Sequence, residues 1–137
     1  MLIQFSVENF LSIKDNVVLS LLASKDNEHP EHLIVDGNKK HLKSAVIYGA
    51  NASGKSNVLN AFWFMVNYVL TSHNQQLHKT IERSPFKFDR ETPSRPSSFE
   101  VIFTTWHPLC VWLFCNRQSC YRRISVLLSQ WQAGTHF

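Results

Sequence analysis

The chain has 137 residues, of which 44% are hydrophobic and 18% charged. That is enough to bury one modest core, and it shows none of the compositional extremes that keep a chain disordered. Its formal net charge is +4, yet residues 1–100 carry eleven Lys and Arg against all ten Asp and Glu, leaving the surplus to Arg117, Arg122 and Arg123. A nearly neutral body with a basic tail fits a nucleic-acid-binding face poorly, and nucleic acid stays an open question as a partner.

Ile3, Phe5 and Val7 alternate with Gln4, Ser6 and Glu8, the period-two pattern of a strand with one buried face. The same polar residues interrupt what a signal peptide would need as an apolar run. After "ENFLSIKDN", with a turn at Asp15–Asn16, "VVLSLLAS" (17–24) reads as a second, more fully apolar strand. Residues 25–43 form a polar surface connection around a short apolar piece, Leu33 to Val35, with a turn at Asp36–Gly37. "SAVIYG" (44–49) reads as a short buried strand, followed by a helix from Gly54 or Lys55 to about Leu70. That helix is apolar on most sides, with Asn57, Asn60 and Asn67 on one stripe, which suits a helix beneath a sheet with little solvent contact. Its apolar run, Val58 to Leu70, is too short to span a bilayer. The expected compartment is therefore the cytoplasm, with no membrane partner. "TSHNQQLHKTIERS" is polar and ambiguous, and "PFKFD" and "SFEVIF" then read as two strands around a Pro/Ser-rich turn. The order of elements argues an α/β layered fold.

Between the 44–49 strand and the helix, Gly49-Ala50-Asn51-Ala52-Ser53-Gly54-Lys55-Ser56 satisfies G-x-x-x-x-G-K-[ST], the Walker A phosphate loop (P-loop), in its required strand–loop–helix context. The two glycines allow backbone angles and close approaches that a side chain would block. Amides from about Ala52 to Ser56 can donate to phosphate oxygens at the positive end of the helix. Lys55 is placed to reach the β- and γ-phosphates, and the Ser56 hydroxyl to take one position on Mg²⁺. The candidate nucleotide-binding set is Gly49 to Asn57, with ATP and Mg²⁺ as ligands and Ser56 as the metal residue.

"GANASGKSN" after the N-terminal "I.FSVENFLSIKD" pattern resembles the ABC-type ATPases of the SMC/RecF/OLD group. Within that group it is most similar to bacterial AAA-family, OLD-like ATPases of phage-defence and abortive-infection systems. The later "PFKFD...PSSFEVIF" also resembles theirs, so the similarity covers residues 1 to about 104. The resemblance implies the N-terminal lobe of an ABC-type P-loop NTPase, a mixed sheet with the P-loop helix packed beneath it. It implies phosphate and Mg²⁺ binding by Asn51, Gly54, Lys55 and Ser56, and a place near the base or ribose for Asn9 to Lys14. It further implies a homodimer in the full-length family form and an effector nuclease or toxin as partner. For Ser12 and Lys14 an ordinary strand connection is an equal reading. Gln75 and Gln76 follow the loop too closely to sense the attacking water, and loop polarity explains them. No apolar run ending in Asp-Glu, the acidic strand end of the family, occurs in the sequence, nor its signature loop. Catalytic residues are accordingly expected to be absent, and ATP turnover is doubtful.

Residues 105–137 differ from residues 1–104, holding all three cysteines, three of the four tryptophans and no acidic residue. Cys110, Cys115 and Cys120 form one C-x₄-C-x₄-C series. That series lacks the paired spacing of a zinc site, and in the expected compartment it does not call for a disulfide. Because tryptophan has the single codon TGG, reading one base later converts Trp106, Trp112 and Trp131 each to glycine. A shifted frame from residue 106 allows the alternating strand "GIRYVYGF". The segment reads as an out-of-frame or divergent tail behind the N-terminal part of an ATP-binding domain. Two other functions stand beside ATP binding: a non-functional truncated product, and a small P-loop kinase or GTPase. The strand pair before the loop and the lack of a guanine-specificity motif argue against the last.

Overall fold

The computed structural model describes residues 1–24, 29–36, 39–71, 81, 83–104, 108–116 and 120–126. In chain order the strands are β1 (Leu2–Glu8), β2 (Val17–Ser20), β3 (Leu33–Asp36) and β4 (Lys39–Leu42). Then come the helix α1 (Lys55–Thr71) and strands β5 (Ser97–Thr104), β6 (Pro108–Cys115) and β7 (Cys120–Val126). Five strands make one sheet in the order β2-β1-β5-β6-β7, and β3 with β4 makes a separate hairpin. Each of these pairings is antiparallel.

The sheet is therefore not the mixed one expected. The strand that would have run parallel, at 44–49, is not formed: the segment pairs with no described strand, and Val46 and Tyr48 are 84% and 89% exposed. A buried parallel strand needs neighbours on both sides and cover on both faces. Here the segment pairs with neither outer strand of the described sheet, and it has no such cover.

One face of the sheet carries the main core. Val7 stands opposite Phe99, and Phe99 opposite Leu113, so the three share a face. With Phe5 they pack against Ala61 and Met65 of α1 and against Phe10 and Ile13 from the turn after β1. Aromatic rings lock this contact: Phe5 meets Phe62 edge-on at 5.1 Å, and Phe64 lies 5.2 Å from Phe10 and 5.3 Å from Phe99. A register shift between Leu2 and Gln4 turns Ile3 to the opposite face, where it joins Ile102 and Cys110. Such a bulge changes which side a residue faces without ending the strand.

β1 was expected to bury one face only, but Gln4 and Ser6 are buried as well. On the second face each is flanked from both sides by cross-strand neighbours, Gln4 by Ser20 and Ile102 and Ser6 by Val18 and Glu100. On that second face the Ser6 hydroxyl and the Cys110 thiol both donate to Glu100, at 3.4 and 3.2 Å. Burial above all, then the bond to and charge of Glu100, pushes the Cys110 thiol far above the usual thiol range.

Other expectations change for similarly local reasons. The apolar run 17–24 yields only the four-residue strand β2, with Val17 and Val18 substantially exposed because no described strand lies beyond them. "PFKFD" is not a strand, because its backbone groups bond to side chains: Phe86 N–H donates to Asn9 Oδ1, and Thr92 Oγ1 donates to Phe86 O. α1 forms as expected, but its enclosure is one-sided, with Leu59, Trp63 and Leu70 exposed. The surface connection contains a hairpin in which Asp36 pairs with Lys39. Cys115 and Cys120, facing each other in the β6–β7 register, are joined as a disulfide, contrary to the sequence reading. Strands β6 and β7 extend the sheet from β5, placing residues 108–115 and 120–126 in the same layer. Gln75 and Gln76 lie outside the described residues. No helix among the described residues is long and apolar enough to cross a membrane.

Candidate functional site

The loop between residue 49 and α1 is shaped by backbone angles that few side chains tolerate. Gly49 and Gly54 have φ of +153° and +89°, and Ala52 holds +62° with a Cβ attached. A Cβ on Gly54 would stand 3.1 Å from Ser12 Oγ, so glycine is required both for the angle and for the approach of the neighbouring turn. Ser53 N–H donates to Ala50 O at 3.3 Å and closes the loop on itself. α1 then begins at Lys55. The first amides of a helix have no carbonyl one full turn earlier to accept them and lie at the positive end of the dipole, where an anion is favoured; of those of α1, Asn57 N–H donates to Gly54 O at 2.9 Å.

Lys55 leaves the helix and reaches back across the loop. Its Nζ donates to Gly49 O at 2.8 Å and to Ala50 O at 2.6 Å, which sets a positive charge at the mouth. Asn51, Ala52, Ser53 and Ser56 are exposed there, and Gly54 and Lys55 are half-buried.

The turn after β1 supplies the opposite wall. Phe10 and Ile13 exchange backbone hydrogen bonds, each 2.9 Å, so that Leu11 and Ser12 form a tight tip. Leu11 sits at φ +53°, an angle a bulky side chain adopts only when its surroundings impose it. Here Leu11 N–H donates to Ser84 O and its side chain packs on the core. The tip holds Ser12 Oγ 2.7 Å from Asn57 Nδ2, which ties the turn to the first turn of α1.

Asn9 anchors the base of that turn. Its buried side chain donates to Thr92 O and Arg95 O and accepts from Phe86 N–H, so it serves as a brace rather than a ligand contact. Lys14 is engaged by Asp89 at 2.6 Å, and that hydrogen bond above all holds the Asp89 carboxyl below the usual carboxylate range.

Between turn and loop lies an open cleft of about 560 Å³, lined by Ser12, Lys14, Tyr48, Lys55, Val58 and Phe86 among others. This is within the ordinary size of a small-molecule site. The structure thus brings Ser12 to Lys14 beside the phosphate-loop motif. Asn9, expected near a base or ribose, instead stays in the framework. Tyr48 and Phe86 escaped the sequence reading as cleft walls. Tyr48 lies in the strand-like pattern of residues 44–49 and Phe86 in that of 85–89, and neither pattern signals a cleft. The Ser12–Asn57 contact spans 45 positions and has no local sequence signal.

Residues 44–105 match the family described as "AAA domain, putative AbiEii toxin, Type IV TA system". The matched span contains the loop, α1 and β5. The match supports the class of AAA-type P-loop ATPases, whose ligand is ATP, usually with Mg²⁺. No curated protein and no solved structure matches the chain.

Proposed function

We propose that this chain binds ATP with Mg²⁺ through a Walker A loop, Gly49 to Asn57, as the N-terminal nucleotide-binding part of a cytoplasmic, OLD-like, ABC-type ATPase. The observation that carries this reading is Lys55, whose ammonium rests on Gly49 O and Ala50 O beside the open cleft. A phosphate entering there replaces two carbonyl dipoles with a full negative charge, the stronger partner for an ammonium. The loop amides and the start of α1 add donors, and Ser56 would hold Mg²⁺, which neutralises phosphate charge when bound. Tyr48, Phe86 and the turn Ser12–Lys14 offer surface for the base and ribose. Hydrolysis is not part of the proposal, because phosphoryl transfer needs positioned water and an acidic Mg²⁺ ligand as well as a cradle. The homodimer and the effector nuclease or toxin partner belong to the full-length family form under this reading.

A second reading, a truncated remnant that does not bind, is favoured by one observation. Residues 44–49, which should anchor the loop, lie unpaired and exposed. Titration with a fluorescent ATP analogue in the presence and absence of Mg²⁺ separates the two. We expect saturable, Mg²⁺-dependent binding that Lys55→Ala weakens by about tenfold or more, with ATP competing better than GTP. A folded wild-type sample without saturable binding leaves the remnant reading standing, and equal binding by Lys55→Ala removes the loop from the explanation.

A further inference from the structure

Away from the cleft, the sequence His29-Pro30-Glu31-His32 sits on a single 3₁₀ turn, Pro30–His32, with His29 as the residue before it. His32 N–H donates to His29 O at 3.1 Å, which closes the turn. Lys43 holds it from the side, its Nζ donating to Glu31 O at 2.7 Å and its N–H to His32 O at 3.3 Å. These bonds order the backbone without using the imidazoles or the carboxylate, which remain exposed.

From this arrangement we infer that His29, Glu31 and His32 form a binding site for a first-row divalent cation of the Zn²⁺ type. His29 Nδ1 lies 3.2 Å from Glu31 Oε1, and His32 Nε2 lies 3.4 Å from the same oxygen. The three ligand atoms all lie within 4.8 Å of one another. Ligand atoms around a tetrahedral ion with bonds of about 2.0–2.2 Å stand roughly 3.3–3.6 Å apart, so small side-chain rotations admit the ion at their centre. The two imidazole rings stand with centroids 5.7 Å apart and planes inclined by 60°, each with one nitrogen beside the same Glu31 oxygen. Two imidazoles with one carboxylate select Zn²⁺, Ni²⁺ or Cu²⁺ over Mg²⁺ and Ca²⁺, which prefer all-oxygen ligands. Three protein ligands leave the fourth position of a tetrahedral ion to solvent. The ion would clamp the entry to the β3–β4 hairpin, and the site is independent of the Mg²⁺ position proposed at Ser56.

Calorimetric titration of ZnCl₂ into the untagged, chelator-stripped full chain, without nucleotide, tests this. We expect one Zn²⁺ bound per chain, with His29→Ala, His32→Ala and Glu31→Gln each weakening it by roughly tenfold or more. Because the three side chains are exposed, the variants should keep the wild-type circular dichroism spectrum. The site is overturned by the lack of saturable binding up to about 0.1 mM free Zn²⁺. It is equally overturned by wild-type affinity in the double variant His29→Ala/His32→Ala, which would assign the ion to other groups.

Discussion

At the scale of single residues, the phosphate loop and the turn beside it are held by angles that each carry a penalty. Leu11 at φ +53° and Ala52 at +62° accept left-handed geometry with side chains attached, while Gly54 takes +89° without one. The surroundings over-determine the Leu11 angle: Leu11 is bonded to Ser84, and Ser12 to Asn57. Gly54 lacks any such reserve, since a methyl group there meets both an unfavourable φ and Ser12 Oγ at 3.1 Å. Gly54→Ala is therefore expected to destabilise the fold by about 1–3 kcal/mol, read as a shift in the urea midpoint with an unchanged slope. Ser12→Ala in the same background removes the contact but not the angle, so it should recover only part of that loss.

At the scale of elements, stability rests on the seam between α1 and the β1–β5–β6 face. Phe5 is 1% exposed and meets Phe62 edge-on, so its removal opens a cavity in a sheet interior that cannot collapse easily. Phe5→Ala is expected to lower the unfolding free energy by about 3–5 kcal/mol, measured by denaturant titration. The elements that bear this seam were legible: β1 from its alternation, β5 within "SFEVIF", and α1 from its apolar run behind Lys55. Less legible were segments whose pattern matches a strand but whose backbone partners are set elsewhere. Phe86 and Phe88 alternate correctly, yet the Phe86 amide belongs to Asn9 and its carbonyl to Thr92. Residues 44–49 are apolar enough for a core strand, but apolarity does not supply the neighbours that such a strand needs. The phosphate-loop motif was legible as a local pattern. Ser12 stood beside it only through the family resemblance, because its contact with Asn57 spans 45 positions and leaves no local pattern.

At the scale of the whole molecule, the turn after β1 is stitched to the segment leading into β5 by Asn9 and by the Lys14–Asp89 pair. The Lys14 ammonium, chiefly through its hydrogen bond, depresses the Asp89 pKa, and Asp89 raises that of Lys14 in return. A carboxyl lowered in the folded state stabilises above its unfolded pKa and loses that contribution as pH falls through the folded value. Wild type should accordingly melt above Asp89→Asn at neutral pH, with the gap closing as the pH falls below the usual carboxylate range. Both side chains reach solvent, so the gap should also be modest and shrink with added salt. The position of β1 inside the sheet has a separate consequence for synthesis. β1 is translated well ahead of its second partner, β5, at residues 97–104, and Met1 O accepts from Thr104 N–H at 2.8 Å. At an elongation rate of about 5–20 residues per second, β1 waits on the ribosome for roughly 5–20 s with one edge unpaired. An open apolar strand edge is a template for pairing with other chains. The nascent chain, rather than the finished fold, is thus the form most in need of a chaperone.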